Sequence, residues 1–113
     1  MAILWQIINI NLIYLGGKMY SQIIVSYDIS ITKNRTKFFE ELKDLGLVSI
    51  QKSVMWGYVL VSEKMIIKRL FKKYCDIKVD KAFIVNVTLD KDLKNSFGYD
   101  EDDFKHPESF EII

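Results

Sequence analysis

Cysteine and histidine each occur once in the 113 residues, as Cys75 and His106. A lone cysteine excludes an internal disulfide and suits a reducing cytoplasm, the expected location. One cysteine and one histidine also fall short of the three or four ligands that an ordinary zinc site needs. The five glycines include Gly16, Gly17 and Gly57 but compose no phosphate-cradling loop. Ser53 has no base near it in sequence to make it a nucleophile. A membrane-spanning run is lacking too. "MAILWQIININLIYLGG" is broken by Gln6, Asn9 and Asn11 and its apolar part ends by Leu15, where a span takes about 20 residues. It carries neither a basic leading region nor a small-residue cleavage site. No membrane partner is expected.

What is present describes a globular chain. Half the residues are hydrophobic and 13% aromatic, enough for one domain with its own core. The net charge of +1 hides an asymmetry. Residues 1–89 hold 13 Lys and Arg against 7 Asp and Glu, whereas residues 90–113 hold 3 against 8. A basic body suits a polyanionic partner, with the acidic tail docked on it or simply solvated.

Gly16-Gly17-Lys18 before Met19 would be encoded by a purine-rich stretch resembling a ribosome-binding sequence. Met19 is therefore read as the start, and residues 1–18 as a leader or misassigned start outside the core. If the segment is made, its apolar residues must cover a dimer surface or a sheet edge. The domain is placed at residues 19–89 and the acidic tail at 90–113.

Residues 21–28 read as a central strand with Ile23, Val25 and Tyr27 on one face and Ile24, Ser26 and Asp28 on the other. Residues 33–45 read as a helix with Phe38, Phe39, Leu42 and Leu45 on its buried side and Gly46 as a left-handed cap. A hairpin follows over 47–61, without a clear turn dipeptide. Ser62 is the expected N-cap of a second helix over 63–74, with Ile66, Ile67, Leu70, Phe71 and Tyr74 inward. Residues 82–89 read as a last strand, with Phe83, Val85, Val87 and Leu89 on one face. The order is β-α-β-β-α-β, an α+β ferredoxin-like fold with two helices on one face of a four-stranded antiparallel sheet. "SFEII" at the end reads as a short added strand. Ile24, Ile84 and Met55 are expected on the uncovered sheet face and argue for a partner there, most simply a two-fold copy.

Asp28 ends a core strand with no second acid near it. It is either a loop or capping residue or half of a shared site. In the second case a two-fold dimer brings two Asp28 carboxylates together to hold one Mg²⁺ or Mn²⁺ with a substrate phosphate. Lys64, Lys68 and Lys72 recur every four residues on the second helix, with Arg69 and Lys73 beside them. They form either a solvated face or a ridge that tracks a phosphate backbone. Lys33, Arg35 and Lys37 form a second basic group, in which Arg35 can fork onto a phosphate. Trp56 and Tyr58 are either base-stacking platforms or core and dimer contacts.

"IIVSYDIS", Arg35, Gly46 and "QKSVMWG" together resemble the small CRISPR-associated protein of the spacer-acquisition machinery, the family called Cas two. The resemblance runs from about Tyr20 to Leu89. It implies a homodimer of ferredoxin-like protomers in which the aspartate at position 28 ligates Mg²⁺ in members that are RNA or DNA nucleases. It also implies a dimer that binds duplex DNA and holds the CRISPR integrase subunits while a spacer is inserted. The sequence departs in two places: Ile29–Thr32 carries no further acids, and Met55-Trp56 stands where the family has Phe-Glu. These departures remove candidate metal ligands and leave the scaffold role untouched. Two other readings stay open: a stand-alone Mg²⁺-dependent endoribonuclease like the virulence-associated toxins of this fold, and a ferredoxin-like module with no nucleic-acid role.

Overall fold

The computed structural model describes residues 12–89 and 93–104. The expected "SFEII" strand and His106 lie outside the described residues. Five strands and two helices follow in the order β1 (Leu12–Leu15), β2 (Lys18–Asp28), α1 (Thr32–Asp44), β3 (Val48–Gln51), β4 (Val54–Leu60), α2 (Val61–Tyr74) and β5 (Lys81–Asn86). A short 3-10 turn closes the described part at Glu101–Phe104.

The sheet is organised around β2. Tyr20–Ser26 pair antiparallel with Leu60–Val54 on one edge. The other edge is shared end to end: β1 pairs with Lys18–Ser21 and β5 with Ile23–Asp28, both antiparallel. β3 lies outside β4. Without β1 this is the expected βαββαβ ferredoxin-like sheet; β1 is an addition to it. Gly16 and Gly17, at φ 58° and 77°, make the turn between β1 and β2. Two consecutive positive φ values are what a two-residue hairpin loop needs to match the twist of its strands.

Alternation along β2 sends Ile23, Val25 and Tyr27 under the helices. There they join Phe38 and Leu42 of α1, Met55 and Val59 of β4, and Ile67, Leu70 and Tyr74 of α2. Phe38 is the hub, edge-on to Tyr27 at 4.9 Å and within 6.4 Å of the rings of Phe71 and Tyr74. Phe39, Leu45 and Phe71 pack at the border of this core, as the helical spacing predicts, while Ile66 is exposed. Gly46 takes the left-handed conformation at φ 96°. Its N–H donates to the Lys43 carbonyl and the Leu47 N–H to that of Leu42, closing the helix end in a Schellman pattern.

Three expectations are corrected. Ser62 is not the N-cap of α2. The helix begins two residues earlier with Leu60 in the capping position, and the Glu63 carboxylate reaches back to accept the Leu60 N–H at 2.8 Å. A first-turn acid satisfies that donor without a hydroxyl. Ile84 and Met55 do not face the uncovered side. Ile84 pairs with Val25 and packs against the core, and Met55 is fully enclosed in it. The large apolar side chains of β5 exposed on the open face are instead Phe83 and Val85, opposite Ser26 and Ile24. Val87 and Leu89 do not belong to the last strand, which ends at Asn86.

After β5 the chain turns across the open face. The Val87 N–H donates to the Gln22 carbonyl, and the Tyr99 hydroxyl reaches the Ile50 carbonyl on β3. Phe104 then lies edge-on over Trp56 at 5.4 Å. The tail thus docks by aromatic packing. Among the described residues it covers the β3–β4 half of the open face and leaves Phe83 and Val85 of the β2–β5 half exposed, with a cavity of about 450 Å³ between Ile50 and the tail residues Leu93, Tyr99 and Phe104.

Candidate functional site

Asp28 stands at the last position of β2 on the open face. Its carboxylate is exposed and makes no hydrogen bond or ion pair among the described residues. The backbone around it is held firmly. Ile29 is buried. The Arg35 guanidinium crosses the loop between β2 and α1, donating from Nη1 to the Ile29 carbonyl at 2.8 Å and from Nη2 to Thr32 Oγ1 at 3.1 Å. On the other side, Asp80 Oδ1 accepts both the Ser30 N–H and the Ser30 hydroxyl at 2.9 Å, while Oδ2 accepts the Asp76 N–H at 2.8 Å. These hydrogen bonds from Asp76 and Ser30 hold the Asp80 carboxyl below the usual carboxylate range, against its burial. A free carboxylate thus sits on a strand end whose flanking loop is pinned from two directions.

Arg35 therefore spends two donors on loop structure. It also borders a groove of about 250 Å³ with Tyr27, Thr36, Phe39, Lys52 and Ser53. This groove opens on the helix side of the sheet, because Tyr27 and Asp28 point to opposite faces of β2. Burial pushes the Tyr27 hydroxyl up, partly offset by the Arg35 charge. Lys33 and Lys37 are exposed on the first turns of α1, at the same end of the molecule as Asp28.

The α2 lysines form a ridge along the β5 edge. Lys64 donates to Asn86 Oδ1 at 2.8 Å, and its pKa is lowered by partial burial and by the neighbouring charge of Lys68. Lys68 and Lys72 are exposed, and Lys72 borders a hollow with Phe71, Cys75, Asp80 and Ala82. The ridge belongs to the helix layer and does not share the face of Asp28. Burial and the charge of Asp80 raise the Cys75 thiol, which leaves it a poor nucleophile. Trp56 is buried beneath Phe104, with its Nε1–H donating to Gln22 Oε1 at 2.9 Å. It contributes no open stacking platform.

Two residues that sequence reasoning missed belong to this region. Asp80 pins the loop after Asp28, and Lys81 stands directly opposite Asp28 in the β2–β5 register. An acid and a base beginning the last strand were the available signal. Their partners lie fifty residues away, which no local spacing reveals.

Asp28 is one carboxylate, and no group of three His, Cys, Asp or Glu side chains converges among the described residues. Among those residues no helix is long and apolar enough to cross a membrane.

The fold and the strand-end aspartate define a ferredoxin-like α+β protein with a carboxylate at the rim of an open sheet face. Residues 19–95 match the family model described as CRISPR associated protein Cas2. The chain is 42% identical over 89 residues to the CRISPR-associated endoribonuclease Cas2 1 of Francisella tularensis subsp. novicida (strain U112), covering 78% of this chain and 91% of that one. It also resembles the crystal structure of the hypothetical protein TT1823 from Thermus thermophilus. That similarity has a TM-score of 0.52 and 26% identity, over 59% of this chain and 80% of that one. The chain belongs to the Cas2 family.

Proposed function

We propose that this chain works as a homodimer in CRISPR spacer acquisition, binding duplex DNA through backbone phosphates and holding the integrase subunits. The observation that carries the reading is the composition of the open sheet face. Phe83 and Val85 are 55% and 41% exposed there, beside Ile24, and Asp28 lies at the rim of the same face. A two-fold axis through this apolar patch buries it and brings two Asp28 carboxylates toward each other. The two carboxylates, and not one chain alone, would then supply the anionic ligands for Mg²⁺ or Mn²⁺. Such an ion, when bound, would supply charge stabilisation at a phosphodiester. Lys33, Lys37, Lys68 and Lys72 provide exposed cations for phosphate contacts that carry no sequence readout. Sedimentation of the full chain at micromolar concentration, with and without duplex DNA and integrase, tests the reading. A dimer that binds both is expected; a monomer that binds neither overturns it.

The second reading is a stand-alone endoribonuclease. It is favoured by the name of the Francisella relative and by the unpaired carboxylate of Asp28. It predicts RNA cleavage with Mg²⁺ or Mn²⁺ that Asp28→Asn abolishes. A preparation free of contaminating nuclease that cuts no RNA with either ion removes this reading and leaves the scaffold role standing.

A further inference from the structure

We propose that Lys81 is a phosphate-binding residue that seats a nucleic-acid phosphodiester beside Asp28. Lys81 is the first residue of β5 and the antiparallel partner of Asp28. Directly opposed residues on adjacent strands share a face, with Cβ atoms about 4.5–5.5 Å apart. Both side chains are exposed, and yet they form no ion pair within hydrogen-bonding reach. An ammonium and a carboxylate are thus held as neighbours with their charged ends free. The backbone beneath them is fixed by the preceding residue, since Asp80 binds the Ser30 N–H and hydroxyl and so ties the start of β5 to the loop after Asp28.

This pairing suits a phosphodiester better than a free anion or a cation. A compact ammonium on a flexible stem binds a non-bridging phosphate oxygen as a point charge. The adjacent carboxylate by itself repels the phosphate, so a cation on the same face is needed to bring the two together. The α2 ridge cannot serve, because it belongs to the helix layer. Lys33 and Lys37 sit on α1, in the same layer. Among the described residues Lys81 is the basic side chain that shares a face and a register position with Asp28. The inference rests on the nucleic-acid reading above and adds the residue that would orient the phosphate. An edge lysine can also serve simply to keep a strand end soluble, which the following experiment separates from phosphate binding.

Lys81→Met and Lys81→Arg are compared with wild type for binding to an unstructured RNA oligonucleotide and a DNA duplex across a salt series, and for RNA cleavage with Mg²⁺. Each phosphate contact contributes about 0.7 to 0.9 to the slope of log affinity against log salt. Lys81→Met is expected to lose about one such contact and to slow cleavage of saturating RNA at least about ten-fold, the order expected for a lost charge-assisted contact to the reacting group. Lys81→Arg is expected to restore the binding slope. An unchanged slope and affinity for Lys81→Met overturns the proposal. If wild type binds nucleic acid but does not cleave, the nuclease reading falls and the slope still decides Lys81. If wild type binds neither polymer, the nucleic-acid reading and this proposal fall together.

Discussion

Asp80 holds Ser30 twice, through its backbone N–H and through its hydroxyl, across fifty residues of chain. Because the Asp76 N–H and these two bonds from Ser30 favour the ionised carboxyl, its pKa is lower in the folded state than in the unfolded one, and it stabilises the fold at pH values above the ordinary carboxyl range. That contribution is lost as pH falls through the folded value. Asp80→Ala is therefore expected to melt at a lower temperature than wild type at pH 7. The gap should close progressively below the unfolded value of about 3.9. Parallel thermal melts between pH 7 and the acid limit check this; a gap that stays constant down to acid would refute it.

The β2–β5 half of the open face makes a separable prediction about assembly. Phe83→Glu adds a charge at a side chain that is exposed in one chain, so the fold of the protomer should keep its melting temperature within a few degrees. Self-association should fall sharply, because an unpaired charge in an interface is costly by several kcal/mol, on the order of 3–5. Sedimentation velocity over a concentration series reads the second effect and thermal denaturation the first. An association constant unchanged from wild type in Phe83→Glu would overturn the proposed interface.

Trp56 anchors the returning tail, and the bond from its Nε1–H to Gln22 lies beneath Phe104. Trp56→Phe keeps a smaller aromatic ring and removes the donor, leaving the buried Gln22 carbonyl without that partner. The expected loss of stability is about 1–3 kcal/mol in urea denaturation. Phe104→Ala should instead loosen the tail with little effect on the core. Hydrogen exchange checks this second case: the sheet amides of β2 should stay protected while the Tyr99 region exchanges faster.

The lysines of α2 should not contribute equally to nucleic-acid binding. Lys64 is bonded to Asn86 and partly buried, whereas Lys68 and Lys72 are exposed. Lys68→Ala and Lys72→Ala are each expected to lower the salt slope by about 0.9 on duplex DNA, and Lys64→Ala by less. Affinity measured across a salt series from about 50 to 200 mM reads the difference. Equal slopes for all three variants would show that Asn86 releases Lys64 on binding.

Much of the fold was legible because its determinants are local and periodic. The alternation of Ile23, Val25 and Tyr27 and the spacing of Phe38 and Leu42 point inward as read, and Gly46 stops α1 where a positive φ was wanted. The phase of the last strand was not legible. Ala82 and Ile84 face the core, and Phe83 and Val85, though larger or equally apolar, face out. Size favours the wrong face when an open sheet surface carries its own apolar patch. Gly16-Gly17 held a hairpin signal that coding considerations obscured; β1 now lies on the sheet edge, while the family match starts at Met19. At the candidate site, Asp28 and the basic groups were visible from their positions. The clamps by Arg35 and Asp80 and the opposition of Lys81 were not, since they depend on which strand closes beside β2.

That closure has a consequence for the order of events during synthesis. The far edge of β2 beside Asp28 is filled by residues 81–86, so a nascent chain stalled short of them leaves half of its middle strand unsatisfied. Both helices and the β3–β4 hairpin can be complete while the acid-bearing tip is still unformed. Competence at that tip should therefore arrive last, when the final third of the polypeptide leaves the ribosome and zips into place.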